Sequence, residues 1–292
     1  MPKVSIIIRS HNDAEFIERT MTAILEQEFK DFELINVDHC STDGTWDTIC
    51  SLNPDGVKFQ VEEYIPGRIL NDAISKASGE IVVFNNSDCI PVNPEWLGNL
   101  IYPLENNTNL KIGAVYGNQM PRPNAKQLVK KDNVRAFGDG EIASGWYHFF
   151  SLASSAVPRR LLIVNKFNTS LKYSEDIEWS WRMKQAGYKI VYVPGAMVEH
   201  SHNYSFSELK RRFYGEGYAD GQIFGGKFTF VLGMLLPLCM EIVRDLEWLV
   251  KRFRIMAIPS GIIYRVIQRV SYWRGRRDYI KDHPESLKAG SN

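Results

Sequence analysis

Four short stretches hold residue types that can do chemistry. The first is Asp38-His39-Cys40-Ser41-Thr42-Asp43-Gly44-Thr45, where a carboxylate closes an apolar run. A carboxylate there accepts hydrogen bonds from a nucleobase or ribose, while Asp43 equally suits capping of a helix that starts near Thr45. The second is Asn85-Asn86-Ser87-Asp88-Cys89. Asp88 suits a hard divalent cation whose other ligands would be diphosphate oxygens, although a single acid after a strand also closes turns. The third, Ser174-Glu175-Asp176-Ile177-Glu178, places three acids where a helical pattern begins. The helix dipole favours their ionised forms, and a carboxylate that reaches a substrate proton is a general base; plain capping is the alternative. The fourth, Glu199-His200-Ser201-His202, sets two imidazoles at alternate positions, on one face of a strand or its exit, which suits one metal ligand.

These stretches need a scaffold that delivers them together. Residues 4–8 are a short apolar run of the kind found in buried parallel strands, and 32–37, 57–64 and 81–84 read as the strands that follow. Residues 15–27 and 66–77 have helical spacing, the second opened by Pro66-Gly67 and stopped by Ser78-Gly79. The alternation predicts an α/β, doubly wound, mainly parallel sheet. Ligands of such sheets sit beyond the carboxyl ends of the strands, so residues 9–12, 38–43 and 85–88 are expected around one crevice. Further on, Asn93-Pro94-Glu95 suits a helix start with Asn as cap and Pro in the first turn. Residues 112–116 and 189–193 suit strands, 175–186 a helix, and 121–148 a loop with one short helix.

Length and composition fit a globular chain. Its 292 residues carry 35 Lys+Arg against 34 Asp+Glu, and this balance argues for no nucleic-acid partner. The balance is uneven along the chain: residues 227–282 are basic and aromatic, and the remainder is acidic. Residues 228–240 carry no charge, yet the run is too short to span a bilayer and contains Pro237. Ile262, Ile263, Val266, Ile267 and Val270 share a helical face with Arg265 and Arg269 opposite. Such a tail suits peripheral membrane contact through 227–282, and a homodimer is the alternative use of the same helices. Four cysteines without C-x-x-C spacing and an N-terminus without a leader pattern point to the cytoplasm, at the inner face of the cell membrane.

Taken together, the ordered motifs resemble the inverting family 2 glycosyltransferases of GT-A fold. The resemblance runs over residues 4–225 and rests on S-T-D-G-T at 41–45, Asn86-Ser87-Asp88 in place of D-x-D, Glu175-Asp176, and Val198-x-His200. With Trp96-Leu97, Tyr116-Gly117-Asn118-Gln119, Phe149-Phe150-Ser151 and Arg211-Arg212-Phe213, it looks most like bacterial rhamnosyltransferases that use dTDP-rhamnose. The resemblance implies a GT-A domain over 1–226 and a C-terminal helical extension, membrane-associating or dimerising, over 227–292. It implies that Asp38 bonds the pyrimidine base, with Ser10 and Asn12 nearby, and that Arg68, Asn71, Asn86 and Ser87 line the nucleotide–sugar site. Asp88 and His200 would hold Mg²⁺ or Mn²⁺. Asp176, beside Glu175, would deprotonate the acceptor hydroxyl, and Arg211 or Arg212 would neutralise the departing diphosphate. The implied partners are a dTDP- or UDP-linked sugar donor and a lipid-linked or glycan acceptor.

Three positions depart from the family pattern. Asn86 removes one acid of D-x-D, His39 replaces the second acid of the nucleotide segment, and Arg9 stands where the family usually has Pro. Two other readings stay open: a transferase of UDP-hexose or UDP-N-acetylhexosamine, and a non-catalytic nucleotide-sugar-binding scaffold subunit. A nicotinamide-dependent dehydrogenase is disfavoured because the first strand–helix turn lacks G-x-G-x-x-G.

Overall fold

The computed structural model describes residues 1–106, 111–140, 146, 149–226 and 229–288. Residues 141–145, 147 and 148 of the expected loop lie outside the described residues, as do 227, 228 and 289–292 of the expected extension. The chain forms two compact units. The first comprises Met1–Arg122, Asn133–Ser170 and Glu175–Ser201; the second comprises Pro123–Asp132, Leu171–Ser174 and His202–Asn292.

The first unit is built on an eight-stranded sheet in the order β3-β2-β1-β4-β7-β6-β8-β5. Its strands are β1 (Val4–Ser10), β2 (Phe32–Asp38), β3 (Val57–Gln60), β4 (Ile81–Asn86), β5 (Ile90–Pro91), β6 (Ile112–Met120), β7 (Ser154–Pro158) and β8 (Lys189–Glu199). The expected parallel sheet is present where β3, β2, β1 and β4 pair side by side, and β7 is the antiparallel insertion beside β4. Apolar runs become two-sided core because alternate residues point to opposite faces. Ile6, Ile8 and Val83 pack on one face with Met21 of α1 (Ile17–Leu25) and Leu97 of α4 (Trp96–Glu105). Ile7, Val82 and Phe84 pack on the other with Leu70 of α3 (Pro66–Lys76) and Trp179. Helix α2 (Thr45–Leu52) joins the first face through Ile49, and α6 (Arg159–Val164) joins the second through Leu161 and Leu162.

Several boundaries shift from their expected places. β1 runs through Arg9 and Ser10, so both belong to the last turn of the strand rather than to the loop beyond it. β8 runs six residues past Val193, to Glu199, and thereby carries His200 to the strand's exit. Asn93 does not cap α4: the helix begins at Trp96 after Glu95, and the Asn93 carbonyl instead accepts from Gln27 and from the Trp96 amide. The short helix within 121–148 is α5 (Gln127–Ala136).

The second unit is helical. α8 (Phe206–Phe224) opens with a capping box in which Ser205 and Glu208 exchange hydrogen bonds. A π-helical turn at Val231–Leu235 leads into α9 (Leu236–Lys251), and α10 (Ile258–Asp282) follows. α8 and α10 approach backbone to backbone. A Cβ on Gly217 would lie 2.0 Å from the Tyr272 carbonyl oxygen, and one on Gly275 would lie 2.0 Å from that of Tyr214. Among the described residues no helix is long and apolar enough to cross a membrane.

α10 turns its charged stripe inward and its apolar stripe outward. Arg265 is only 2% exposed, whereas Ile262, Ile263 and Val266 face solvent. The reason lies in its partners: Arg265 donates to Asp245 at 2.6 Å and to Asp132 at 2.6 Å, so the polar stripe turns inward to meet acids.

Candidate active site

In the first unit the chain leaves β1 towards β2 and β3 on one side and returns to β4 on the other. The crevice at the carboxyl ends of β1 and β4 is therefore a topological switch point, where open α/β sheets bind ligands. Ser10, Asp38 and Asn86 all occupy strand ends here.

Asp38 sits at the hub of the nucleotide segment. Its Oδ1 accepts from Ser10 Oγ at 2.8 Å and Ser41 Oγ at 2.6 Å, and its Oδ2 accepts from the Ser41 amide at 2.8 Å and Gln60 Nε2 at 3.2 Å. Burial alone would push this carboxyl upward, but the bonds from Ser41, Gln60 and Ser10 outweigh it and hold the group below its ordinary range. Those four donors use the acceptor capacity of a carboxylate, and Asp38 is wholly buried. The expected direct bond from Asp38 to a base is thus not available in this arrangement; Asp38 shapes the loop instead. Asn12 does similar work with φ 53°, receiving the Thr42 amide on its Oδ1 at 2.9 Å while its own amide donates to Ser41 Oγ at 2.8 Å. Asp43 accepts from the Thr45 amide and hydroxyl, which makes it the brace of the α2 start.

The surface above this hub is aromatic. The His11 and His39 rings lie 4.5 Å apart, and Tyr64 lies 5.4 Å from His39. His11 was expected here only as one of residues 9–12 around the crevice, and Tyr64 only as the end of a strand. The only hint was His39 itself, an imidazole in an acid's place.

Asp88 follows β4 and is nearly buried. Its Oδ2 lies 3.5 Å from His200 Nε2. Gln119 settles which imidazole nitrogen carries the proton. Gln119 Nε2 donates to Ser151 Oγ at 2.8 Å, so its Oε1 faces His200 Nδ1 at 2.8 Å and accepts from it. Nδ1 is then an N–H, and Nε2 is the ring nitrogen that faces Asp88. One carboxylate oxygen plus one imidazole fits a single divalent cation, Mg²⁺ or Mn²⁺, with its other positions open to substrate oxygens. Arg122 shares the position: its Nη2 donates to the Asp88 carbonyl at 2.6 Å and lies 3.4 Å from Oδ2. Nothing in the sequence marked Arg122. Ser87 donates to Asp13 and is held through its carbonyl by Thr20, so it buttresses the turn.

Helix α7 (Glu175–Gln185) begins with the acid pair. Glu175 is buried and meets Arg9 Nη1 at 3.1 Å, while Arg9 Nη2 donates to Asn86 Oδ1 at 3.3 Å. Arg9 therefore ties the altered D-x-D position to the acid pair. Asp176 is pushed up to about 7, first by burial and then by the negative charge of Glu175; amides of Ile177 and Leu152 and the Arg9 charge offset only part of this. A carboxyl that titrates near neutrality is matched to proton transfer in both directions.

Other expected residues stand elsewhere. Both ends of the Asn71 amide are spent on the Phe167 backbone, at 2.9 and 3.0 Å, so Asn71 fastens α3 to that segment rather than lining the site. Arg68 is exposed and pairs with Glu63 at 2.9 Å, a weak surface contact that a phosphate can displace. Arg211 and Arg212 lie on α8 in the second unit, where Arg212 is engaged by Glu216 at 2.8 Å and by the Tyr204 hydroxyl at 2.6 Å.

Comparison with known proteins agrees with this geometry. The O-antigen chain rhamnosyltransferase RfbN of Salmonella typhimurium is 27% identical over 228 residues, covering 74% of this chain and 71% of that protein. WbaN, an O-antigen chain rhamnosyltransferase of Salmonella anatum, is 28% identical over 74% of this chain and 72% of its own. The mannosyltransferase PcManGT of Pyrobaculum calidifontis, solved with GDP-Man and Mn²⁺, superposes with a TM-score of 0.66 at 20% identity, covering 97% of this chain and 88% of that one. That likeness shows the GT-A fold with its helical extension. The family model for glycosyl transferase family 2 matches residues 5–160, the span that contains the crevice strands β1 to β4, and the chain belongs to that family of glycosyltransferases.

Proposed function

We propose that the chain transfers rhamnose from dTDP-rhamnose, with inversion at the anomeric carbon, to a hydroxyl of a lipid-linked or polysaccharide acceptor in cell-surface glycan synthesis, working at the cytoplasmic face of the membrane. Residues 1–226 are taken as the transferase and 227–292 as its extension. The observation that carries this reading is Asp176: a carboxyl raised to about 7 at the head of α7, in the unit that also presents Asp88 and His200. The rhamnose assignment is supported by the two Salmonella relatives.

The mechanism follows from the side chains. The acceptor hydroxyl gives its proton to Asp176 as its oxygen attacks the anomeric carbon; the bond to the nucleoside diphosphate breaks on the opposite face, which inverts the centre. Glu175, neutralised in part by Arg9, keeps enough negative charge beside Asp176 to make that proton uptake favourable. Asp88 and His200 are the residues that would hold Mg²⁺ or Mn²⁺, which when bound stabilises the charge that develops on the leaving diphosphate. Arg211 or Arg212 would add charge-assisted bonds to the same oxygens. Ser10, Asn12 and Asp38 shape the nucleotide loop, and the His39 and Tyr64 rings offer the base a stacking surface. Asn86 and Ser87 hold the turn that carries Asp88.

The test is transfer to a lipid-linked acceptor from dTDP-rhamnose, UDP-glucose and UDP-N-acetylglucosamine, each with Mn²⁺ and with chelator, followed by the anomeric configuration of the product. The expected result is metal-dependent rhamnose transfer with inversion. Transfer from a UDP-sugar alone moves the donor to the second reading, which the β-1,3-glucosyltransferase relative of Campylobacter jejuni, 27% identical over 65% of this chain, keeps in view. Folded protein that binds the nucleotide sugar without transferring it is the nucleotide-sugar-binding scaffold of the third reading.

A further inference from the structure

Helices α9 and α10 are inside out for a protein surrounded by water. On α9 the buried side chains include Glu241 and Asp245, one turn apart, while Leu236, Met240, Val243 and Val250 are exposed. On α10 the buried positions are Gly261, Arg265, Ser271 and Gly275, and Ile262, Ile263 and Val266 are exposed. The charges turned inward satisfy one another. Lys131 bonds to Asp245 and lies 3.3 Å from Glu241, and Arg265 bridges Asp245 and Asp132. Charges paired within a bundle beneath an aliphatic exterior are the arrangement that hydrocarbon surroundings impose.

The turn between the two helices is the extreme case. Residues 251–256 read Lys-Arg-Phe-Arg-Ile-Met, cations interleaved with apolar side chains. Phe253 is 91% exposed, Met256 95% and Ile255 60%. Phe253 adopts φ 56° as the left-handed residue that ends α9, where its amide donates to the Val250 carbonyl at 3.0 Å and the Arg254 amide donates to that of Leu249 at 2.8 Å, and this cap holds the Phe253 side chain out in solvent. Glu247 is the one exposed acid on α9, and it is paired with Lys251 at 2.6 Å.

We infer that this turn is a membrane-insertion tip: Phe253, Ile255 and Met256 enter the acyl region of an anionic leaflet, Arg252 and Arg254 bind lipid phosphates, and the aliphatic outer faces of α9 and α10 rest in the same interface. Charge decides between this occupant and a second copy of the chain. A two-fold contact through the tip would set Lys251, Arg252 and Arg254 against the same cations of its partner, whereas an anionic leaflet supplies both hydrocarbon and phosphate. The helices lie on or in the interface rather than crossing it, since none is long and apolar enough to span.

The experiment is flotation of the full chain with vesicles of phosphatidylcholine alone and mixed with phosphatidylglycerol, read without any donor or acceptor so that its outcome is independent of the transferase reading. Wild-type protein is expected to float with the anionic vesicles. Arg252→Gln/Arg254→Gln should weaken that binding by about tenfold or more, at about one phosphate-attracted charge per residue removed. Phe253→Ser/Ile255→Ser/Met256→Ser should abolish flotation while leaving circular dichroism and the melting temperature unchanged, because the three side chains have little to lose on the protein's side. Wild-type protein that stays at the bottom of the gradient overturns the proposal, as does a triple variant that floats like wild type. A solution dimer that the triple substitution dissolves, with no flotation, overturns it in favour of a second copy.

Discussion

The two units solve opposite burial problems with the same kinds of residue. In the sheet-bearing unit Ile6, Ile8 and Val83 are inside, and Arg9, Glu175, Asp88 and His200 converge on the crevice at the strand ends. In the helical unit Lys131, Asp245 and Arg265 are inside, and Val243 and Val250 of α9 and Ile262, Ile263 and Val266 of α10 are outside. Buried charge in the first unit leaves chemistry undone: Asp176 stays near its titration point. In the second unit it is mutually neutralised, which makes it structure. The difference teaches that burial of a charge signals function only when its partners leave it a protonation or coordination step to make.

The largest effect should come from removing the unspent charge. Asp176→Asn is expected to lower kcat by about 10²–10⁴-fold while nucleotide affinity is kept, measured by transfer rate and by calorimetric titration with dTDP. In wild type, kcat/KM should rise with pH through about 7 as Asp176 loses its proton. The stability consequence has the opposite sign. The Asp176 carboxyl binds its proton more tightly folded than unfolded, so its contribution is fully present below the unfolded value near 4 and is lost as pH rises through about 7. The inactive Asn variant should therefore match wild type in denaturant at pH 4 and exceed it at pH 8, by about 1–3 kcal/mol. Equal stability at both pH values would mean that Asp176 is not a strained group and would erase the contrast.

Next in size is the neutralised network. Arg265→Ala leaves Asp245 with Lys131 as its remaining partner and opens a buried, charged gap, so the cost is expected at or below that of breaking a buried pair, about 3–5 kcal/mol. Urea unfolding at neutral pH measures it. A loss within 1 kcal/mol would show that water reaches these carboxylates, and the two interiors would then differ less than their burial implies.

How much of this was visible in the residues alone also divides along the two units. The parallel strands β1, β2 and β4 were legible because a buried strand needs a largely apolar run, and 4–8, 32–37 and 81–84 supply one. The acid pair was legible because helix starts favour acids, so Glu175-Asp176 stood out against its surroundings. Arg9 and Arg122 were not, because each acts on partners distant in sequence, Glu175 and Asp88, which only the folded sheet brings near. The partners of Asn71 and Asp38 were not legible for a related reason: a polar residue beside a site and one that organises the site look alike until the hydrogen-bond partners are known. On α10 the periodicity of the apolar stripe was legible but its direction was not. A stripe of period 3.6 marks a face without saying which medium it meets, and the inward turn of Arg265 depends on Asp132 and Asp245, on two other helices.

A finer test uses the site's imidazole. Gln119→Leu keeps the bulk beside His200 but removes the acceptor that holds its Nδ1 proton. Loss of such a support is expected to weaken Mn²⁺ binding by about 10–100-fold, measured by titration of the nucleotide complex, with the melting temperature little changed. Gln119→Glu should retain the affinity, since an acceptor remains.

The smallest effect is the one that divides the units most sharply. Ile6→Ala in β1 and Ile263→Ala in α10 remove the same atoms from the same residue type. Ile6 is fully buried, and its loss opens a cavity, so unfolding in urea should be easier by about 2–5 kcal/mol. Ile263 is 48% exposed; in vesicle-free buffer its replacement should move stability by no more than about 0.5 kcal/mol, and alanine's better helix propensity opposes even that. A large loss at Ile263 in water would mean that the outer face of α10 is already covered in solution. The aliphatic exterior would then be a protein contact, and the inversion between the two units would be only apparent.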